Sequence, residues 1–333
     1  ANLNGGGQWE SALARIPTLP IHDSTGHFYY SKLSSNPVAD MAQTFNRRDQ
    51  ATNAADARFD LELIKGLKAS IFGSIMRDSR NDDQYQNLLS AASQNNDTYP
   101  GGGYAYKGNT LITDYTVTPT LEYVRNFGSD HHFAAFAGYN YQYHVESDFS
   151  EDNRGFFNDV TTNNNIGIGQ ALADGKADET SVKSDAKLIA FFGRVTYNFM
   201  ERYFVQASLR HEGSSKFGAN HKWGNFPAVS AGWDISKEGF MKNVDFVDNL
   251  KLRAGWGVTG NSGINPYQSL VTLTTGGQYG YPDGVFRQTY GPGNNPNPDL
   301  KWEKKAETNI GVDFSLFHNR LSGAIDAFYR RTS

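Results

Sequence analysis

Gly255-Trp256-Gly257-Val258-Thr259-Gly260 spells G-x-G-x-x-G, the spacing with which a strand-to-helix turn presents backbone amides to a pyrophosphate. That chemistry needs a helix directly afterwards, and Asn261-Ser262-Gly263-Ile264-Asn265-Pro266 reads as a loop instead. The run is therefore expected to be a strand rim, where glycine allows bulging and close backbone approach. His131, His132, His144 and His211 are scattered, and none sits on a helix with a carboxylate partner at i, i+4 to complete a metal site. Asp148, Glu151 and Asp152 cluster in an Asn-rich stretch, but not with the spacing of a calcium-binding hand, so a solvated loop is expected. There is no G-x-S-x-G and no carboxylate pair that the sequence can place for acid–base work. The chain is expected not to be an enzyme, with no catalytic residue, no metal and no cofactor.

The elements that carry these residues have a period of two. Phe133, Ala135, Ala137, Tyr139, Tyr141, Tyr143 and Val145 share one face of a strand, and His132, Asn140, Gln142, His144 and Glu146 share the other. About ten such stretches follow one another from residue 55 to 333, while 1–54 is broken by Gly5-Gly6-Gly7, Pro17, Pro20 and Pro37 and reads as irregular. Alternation starts at Ala57, Phe59, Leu61 and Leu63, and Lys65-Gly66 turns the chain tightly. Pro119 interrupts an otherwise regular strand and marks a bulge there. Connections near 65, 129, 201, 242 and 318 are compact, the one at 236–249 having helical spacing of Phe240, Val244 and Val247. Connections near 95, 166, 218 and 280 are long. Short and long ends never fall out of step, which is the habit of an antiparallel transmembrane β-barrel with short periplasmic turns and long extracellular loops. Tyr139, Tyr141, Tyr197, Val205, Trp233, Val312 and Ile325 are the expected lipid-facing residues, and lipid is the expected solvent of that face.

Composition agrees with such a wall. No run approaches the ~20 apolar residues of a membrane helix, and mean hydropathy is −0.58, as expected when only alternate residues face lipid. The 18 Tyr and 22 Phe suit aromatic girdles, and the 34 Gly suit many turns. Cysteine is absent, which excludes a disulfide scaffold and cysteine-based zinc sites. The 31 basic and 35 acidic residues form no basic block, so nucleic acid is not an expected partner. A soluble glycan-binding β-sandwich and a passive outer-membrane porin stay open as alternatives.

Several segments are more specific than the pattern. They are Phe191-Phe192-Gly193-Arg194-Val195-Thr196-Tyr197-Asn198, Arg210-His211-Glu212-Gly213-Ser214-Ser215-Lys216-Phe217-Gly218, Trp223 to Trp233, Asn249 to Asn261, and Asn297-Pro298-Asp299-Leu300-Lys301-Trp302-Glu303. In order and spacing they resemble the SusC/RagA family of TonB-linked outer-membrane transporters of Bacteroidetes, densely over 186–331 and more loosely before. The resemblance implies a barrel of roughly 22 strands with a plugged lumen, in the bacterial outer membrane. It also implies a SusD-like surface lipoprotein as lid, energy from TonB acting through a plug, and import of a glycan or oligopeptide. No plug, TonB box or final strands find a counterpart here, so an internal fragment of a longer protein is expected. On this reading Tyr267, Tyr279, Tyr281, Phe286 and Tyr290, in the longest outer connection, contact substrate or lid. Arg210, Glu212, Arg253, Asp313 and Asp326 face the lumen and meet water, plug or substrate.

Overall fold

A computed structural model describes residues 5–31, 34–280, 282 and 284–333. Two helices open the chain, α1 (Gly5–Ala14) and α2 (Pro37–Gln43), the second capped by the Asn36 side chain with Pro37 in its first turn. The strands that follow are β1 (Thr44–Ile64), β2 (Leu67–Gln86), β3 (Gly103–Phe127), β4 (His131–Phe156), β5 (Asp178–Phe199), β6 (Tyr203–Ser214), β7 (Trp223–Asp234) and β8 (Val247–Asn261). Then come β9 (Leu273–Gly280), β10 (Phe286–Pro292), β11 (Glu303–Leu316) and β12 (Leu321–Thr332). Ten of them form one sheet in the order β1-β2-β3-β4-β5-β6-β7-β8-β11-β12, and β9 pairs with β10 in a separate two-stranded sheet. The large sheet is an antiparallel meander in which each strand neighbours the next along the chain, save that β8 pairs with β11 past the β9–β10 hairpin.

Several strands are longer than the alternation suggests. β1 starts at Thr44 rather than near Ala57, and the stretches read as loops at 79–110 and 147–185 lose both ends to strands. β3 and β4 have 25 and 26 residues, where crossing a bilayer takes about 10. The excess has an ordinary cause. Beyond the membrane no face of a strand has to be apolar along its whole length, so the apolar–polar alternation that betrays a strand disappears while the hydrogen-bond ladder continues. β3 runs unbroken through Pro119. At Pro227, by contrast, the β7–β8 ladder stops at Ala228, one residue short of a nitrogen that can donate nothing.

The short turns use positive φ. Gly66 has φ +84°, and a Cβ there would sit 2.3 Å from the Val124 carbonyl oxygen, so glycine is required. The β5–β6 turn does the same without glycine: Met200 and Glu201 both have φ 54°, held by a Met200 N–H to Asp130 carbonyl bond of 2.6 Å and by Lys237 on Glu201 at 2.9 Å. The connection before β8 is not an α-helix. It holds two single 3-10 turns, Ile235–Lys237 and Gly239–Met241, because a segment this short with Gly239 at its centre cannot repay helix nucleation.

Two compact units are distinguishable. One comprises Ala1–Ala54, Met76–Thr113 and Val145–Ser184, the other Ala55–Ile75, Asp114–His144 and Asp185–Ser333. The first is built around Tyr85, Ala105 and Phe156, with Phe45 and Ile166 against them. In the second the buried cluster is Phe217, Phe226 and Trp302. Elsewhere in the second unit the large apolar side chains, such as Val205, Leu209, Val229, Ile310 and Ile325, are exposed. A single two-faced sheet with its apolar side outward is not a β-sandwich, whose apolar faces meet each other.

Candidate functional site

Cross-strand register decides which side chains share a face, because directly opposed residues point the same way. One row runs Phe199–Tyr203–Trp233–Leu252–Val312–Ile325, and a second runs Val195–Ala207–Val229–Trp256–Thr308–Tyr329. Between them on the other face lies Asn198–Phe204–Gly232–Arg253–Gly311–Asp326, and beside it Thr196–Gln206–Ser230–Gly255–Asn309–Phe328. The apolar rows are bounded by aromatic clusters. At the short-turn end Phe199, Tyr203 and Trp233 stack with centroids 6.2 and 6.5 Å apart. The Tyr203 hydroxyl and the Trp233 indole both donate to Glu238, at 2.5 and 3.0 Å. At the other end Tyr139, Phe191 and Trp223 follow one another at 5.2 and 6.4 Å, and His211 lies flat on Trp223 at 4.6 Å. From Tyr203 to His211 is about 26 Å along the strand, or about 20 Å across the bilayer after a ~40° tilt, which fits within an apolar band ~25 Å tall.

The polar face carries the charged residues expected in the lumen. Arg253 on β8 forks onto Asp313 of β11 with bonds of 2.7 and 2.8 Å and reaches Asp326 of β12 at 3.2 Å. Gly311, opposite Arg253, makes room: a Cβ there would lie 2.4 Å from Asp326 Oδ1. Arg210 and Glu212 form a separate ion pair on β6, with the Arg210 guanidinium 5.7 Å over the Phe192 ring. Arg210 is opposite Phe226 and Arg253 is opposite Gly232, so the two groups are six β7 residues, about 20 Å, apart. They are not one site. Near Arg253, a recess of about 540 Å3 is bordered by Phe204, Gln206, Ser230, Lys251 and Asn309. Lys251 lies 4.4 Å over the Phe204 ring, and the cation of Arg253 is matched by two carboxylates, so this recess carries little net field.

The loop aromatics have separate fates. Tyr267 is held: its hydroxyl donates to Asp185 Oδ1 at 2.6 Å and accepts the Asp185 N–H at 2.9 Å. The hydrogen bond to that carboxylate raises the Tyr267 pKa. Its backbone has φ 65°, a strained value for a bulky residue. Tyr279 and Tyr290 are exposed on the β9–β10 hairpin, where they pair across the ladder with Arg287 and Thr275. The backbone of Phe286 pairs with Gly280, while its side chain, like the whole of Tyr281, lies outside the described residues.

Two features were not anticipated. Trp302 is 4 % exposed, has its ring centroid 4.6 Å from that of Phe217 in a tilted contact and 5.3 Å from that of Phe226 in an edge-on contact, and donates its indole N–H to the Lys222 carbonyl at 3.0 Å. Around it the Gly218 and Asn220 amides donate to the carbonyls of Leu300 and Pro298 at 2.9 and 3.1 Å, tying two loops at the end of the sheet. The signal was present, since both loops lie in the family-like segments, but their mutual contact is not legible from spacing. The second is a half-buried set in the first unit. Arg154 stacks 4.1 Å over the Tyr104 ring, and burial together with Asp152 pushes the Tyr104 hydroxyl up to about 12. Burial, with help from the Asp178 charge, also raises the Asp152 carboxyl. Among the described residues no group of three or more His, Asp or Glu side chains is arranged to hold a metal.

Comparison with known proteins gives concordant results. A family described as TonB dependent receptor-like, beta-barrel, matches residues 2–333. The TonB-dependent receptor P39 of Formosa agariphila is 28% identical over 333 residues, covering 99% of this chain and 30% of its own length. The TonB-dependent receptor SusC of Bacteroides thetaiotaomicron is 36% identical over 160 residues, 46% of this chain and 16% of its own. In fold, a solved structure of the RagAB peptide transporter superposes with a TM-score of 0.77 at 22% identity, covering 94% of this chain and 34% of that one. The chain thus spans about a third of the length of the full-length relatives it matches.

Proposed function

The chain belongs to the TonB-dependent receptor-like β-barrel family, and from that premise we propose that it works in energy-coupled import of a large nutrient. It is a multi-pass β-barrel wall of the bacterial outer membrane, with short periplasmic turns and long extracellular loops. In our reading the chain is part of the barrel domain, with the helical and irregular segment before β1 on the loop side. Substrate, a glycan or an oligopeptide, enters among the outer loops beneath a SusD-like surface lipoprotein. TonB supplies the energy by moving a plug held inside the barrel.

One observation carries this reading: across β5–β8, β11 and β12 mainly apolar rows alternate with rows that bear the polar and charged side chains, with aromatic clusters at both ends of the apolar rows. Such a sheet separates lipid from an aqueous interior. The exposed Tyr279 and Tyr290 supply ring faces at the loop end that suit sugar rings and peptide side chains alike. SusC and the RagAB peptide transporter, among the proteins this chain is similar to, support import over a passive pore.

The test is nutritional. A strain lacking the gene is grown on single glycans and on oligopeptides as sole source, with the full-length gene restored and with TonB present or deleted. The proposal expects growth on at least one large nutrient to need both. Growth that survives loss of TonB would identify a passive porin instead.

A further inference from the structure

We propose that a second recess on the polar face, nearer the loops, binds the carboxylate of the transported solute. This rests on the import reading and adds a substrate class to it. The recess holds about 330 Å3, room for roughly one sugar ring or one amino-acid residue, and is lined by Asp114, Thr116, Gln142, His144, Lys216 and Ser262. Asp114 and His144 answer each other: Oδ1 and Nδ1 are 2.6 Å apart. That contact engages Asp114 Oδ1 and one ring nitrogen. Lys216 is different. It is half-buried, and among the described residues no carboxylate lies within ion-pair reach of its ammonium. Its backbone N–H is fixed by Ser214 Oγ at 3.3 Å, next to the buried Phe217, so the residue's base cannot swing away. A partly desolvated cation without a counter-ion is costly.

The contrast with the other recess sharpens the assignment. There Arg253 faces Asp313 and Asp326 and needs nothing further. Here the Asp114 carboxylate is engaged by His144, Lys216 has no such partner among the described residues, and the Gln142 amide and the Thr116 and Ser262 hydroxyls that line the recess can donate to a carboxylate. The C-terminus of a peptide and the acid group of a uronic sugar share this chemistry.

Isothermal titration of the full-length protein in detergent decides, with four probes: tetra-alanine, its C-terminal amide, tetragalacturonate and its methyl ester. One free acid should bind at least tenfold more tightly than its neutral counterpart, and which pair shows the difference names the source. Lys216→Gln should abolish the difference and Lys216→Arg should retain it. Equal binding of acid and neutral forms in both pairs, no binding of any probe, or an undiminished difference in Lys216→Gln overturns the proposal. The wild-type pairs decide even should Lys216→Gln not fold. TonB-dependent growth that persists alongside a negative titration would leave the import reading standing and remove only this site.

Discussion

Replacing Val229 by arginine should cost far more than replacing its neighbour Ser230. On β7 the aromatic bounds are Trp223 and Trp233, and Val229 lies four residues from one and six from the other, near the middle of the apolar band. It is 47% exposed, opposed on its own face by Ala207 and Trp256, with no carboxylate in its row to receive a guanidinium. Arginine at the bilayer midplane of a barrel costs ~2–4 kcal/mol, a factor of about 30 to 1,000 in the folding equilibrium. Ser230 is one residue on, opposed by Gln206 and Gly255, and an arginine there stays in water, within about 0.5 kcal/mol of wild type. Val205→Arg should fall between, at about 1 kcal/mol, because Val205 is only two residues, about 5 Å of depth, from Tyr203 and the side chain can snorkel to the interface. The assay is reversible urea unfolding of the full-length protein in phospholipid vesicles. Equal costs at 229 and 230, or a larger cost at 230, would refute the assignment of faces.

Trp302→Ala should loosen the loops at 215–222 and 297–302 without disturbing the wall. A buried Trp truncated to Ala costs about 3–5 kcal/mol, and hydrogen exchange should show lost protection at the Gly218 and Asn220 amides while β6 and β7 keep theirs. The Asp152 carboxyl predicts a pH effect in the first unit. Its folded pKa is raised by burial and by Asp178, so the folded form holds the proton more tightly than the unfolded chain. That contribution is fully present below the ordinary carboxylate value and is lost as pH rises through the raised one. Protease resistance of segment 76–113 should therefore increase on mild acidification in wild type and lose part of that dependence in Asp152→Asn.

What could be read from sequence follows the solvent. Where lipid wets one face and water the other, as at Tyr197–Val205 or Leu252–Val312, alternation exposes both the strand and its orientation. Where lipid no longer wets one face, as in β1 from Thr44 and in β4 beyond Glu146, strands passed for loops. Turn chemistry was legible at Gly66 and hidden at Met200-Glu201, where neighbouring contacts rather than residue type hold positive φ. The 3-10 turns at 235–241 imitate helical spacing with too few residues to make an α-helix. Among the site residues, parity alone placed Arg253, Asp313 and Asp326 on one face. Their joining into a single fork depends on register across three strands and on Gly311, which no local pattern reveals. The depth of Val205 in the wall is not legible from its own strand, because the aromatic bounds are fixed only by stacking between strands.

The most direct test of the whole account is spin-label accessibility along β6, one cysteine at a time from Val205 to Leu209 in the full-length protein, in a stretch where this chain has no cysteine of its own. Labels at 205, 207 and 209 should relax with oxygen dissolved in the lipid, and labels at 206 and 208 with a water-soluble nickel chelate, in strict alternation. Uniform accessibility to the chelate, or a period near 3.6 residues, would contradict a strand standing between acyl chains and an aqueous lumen.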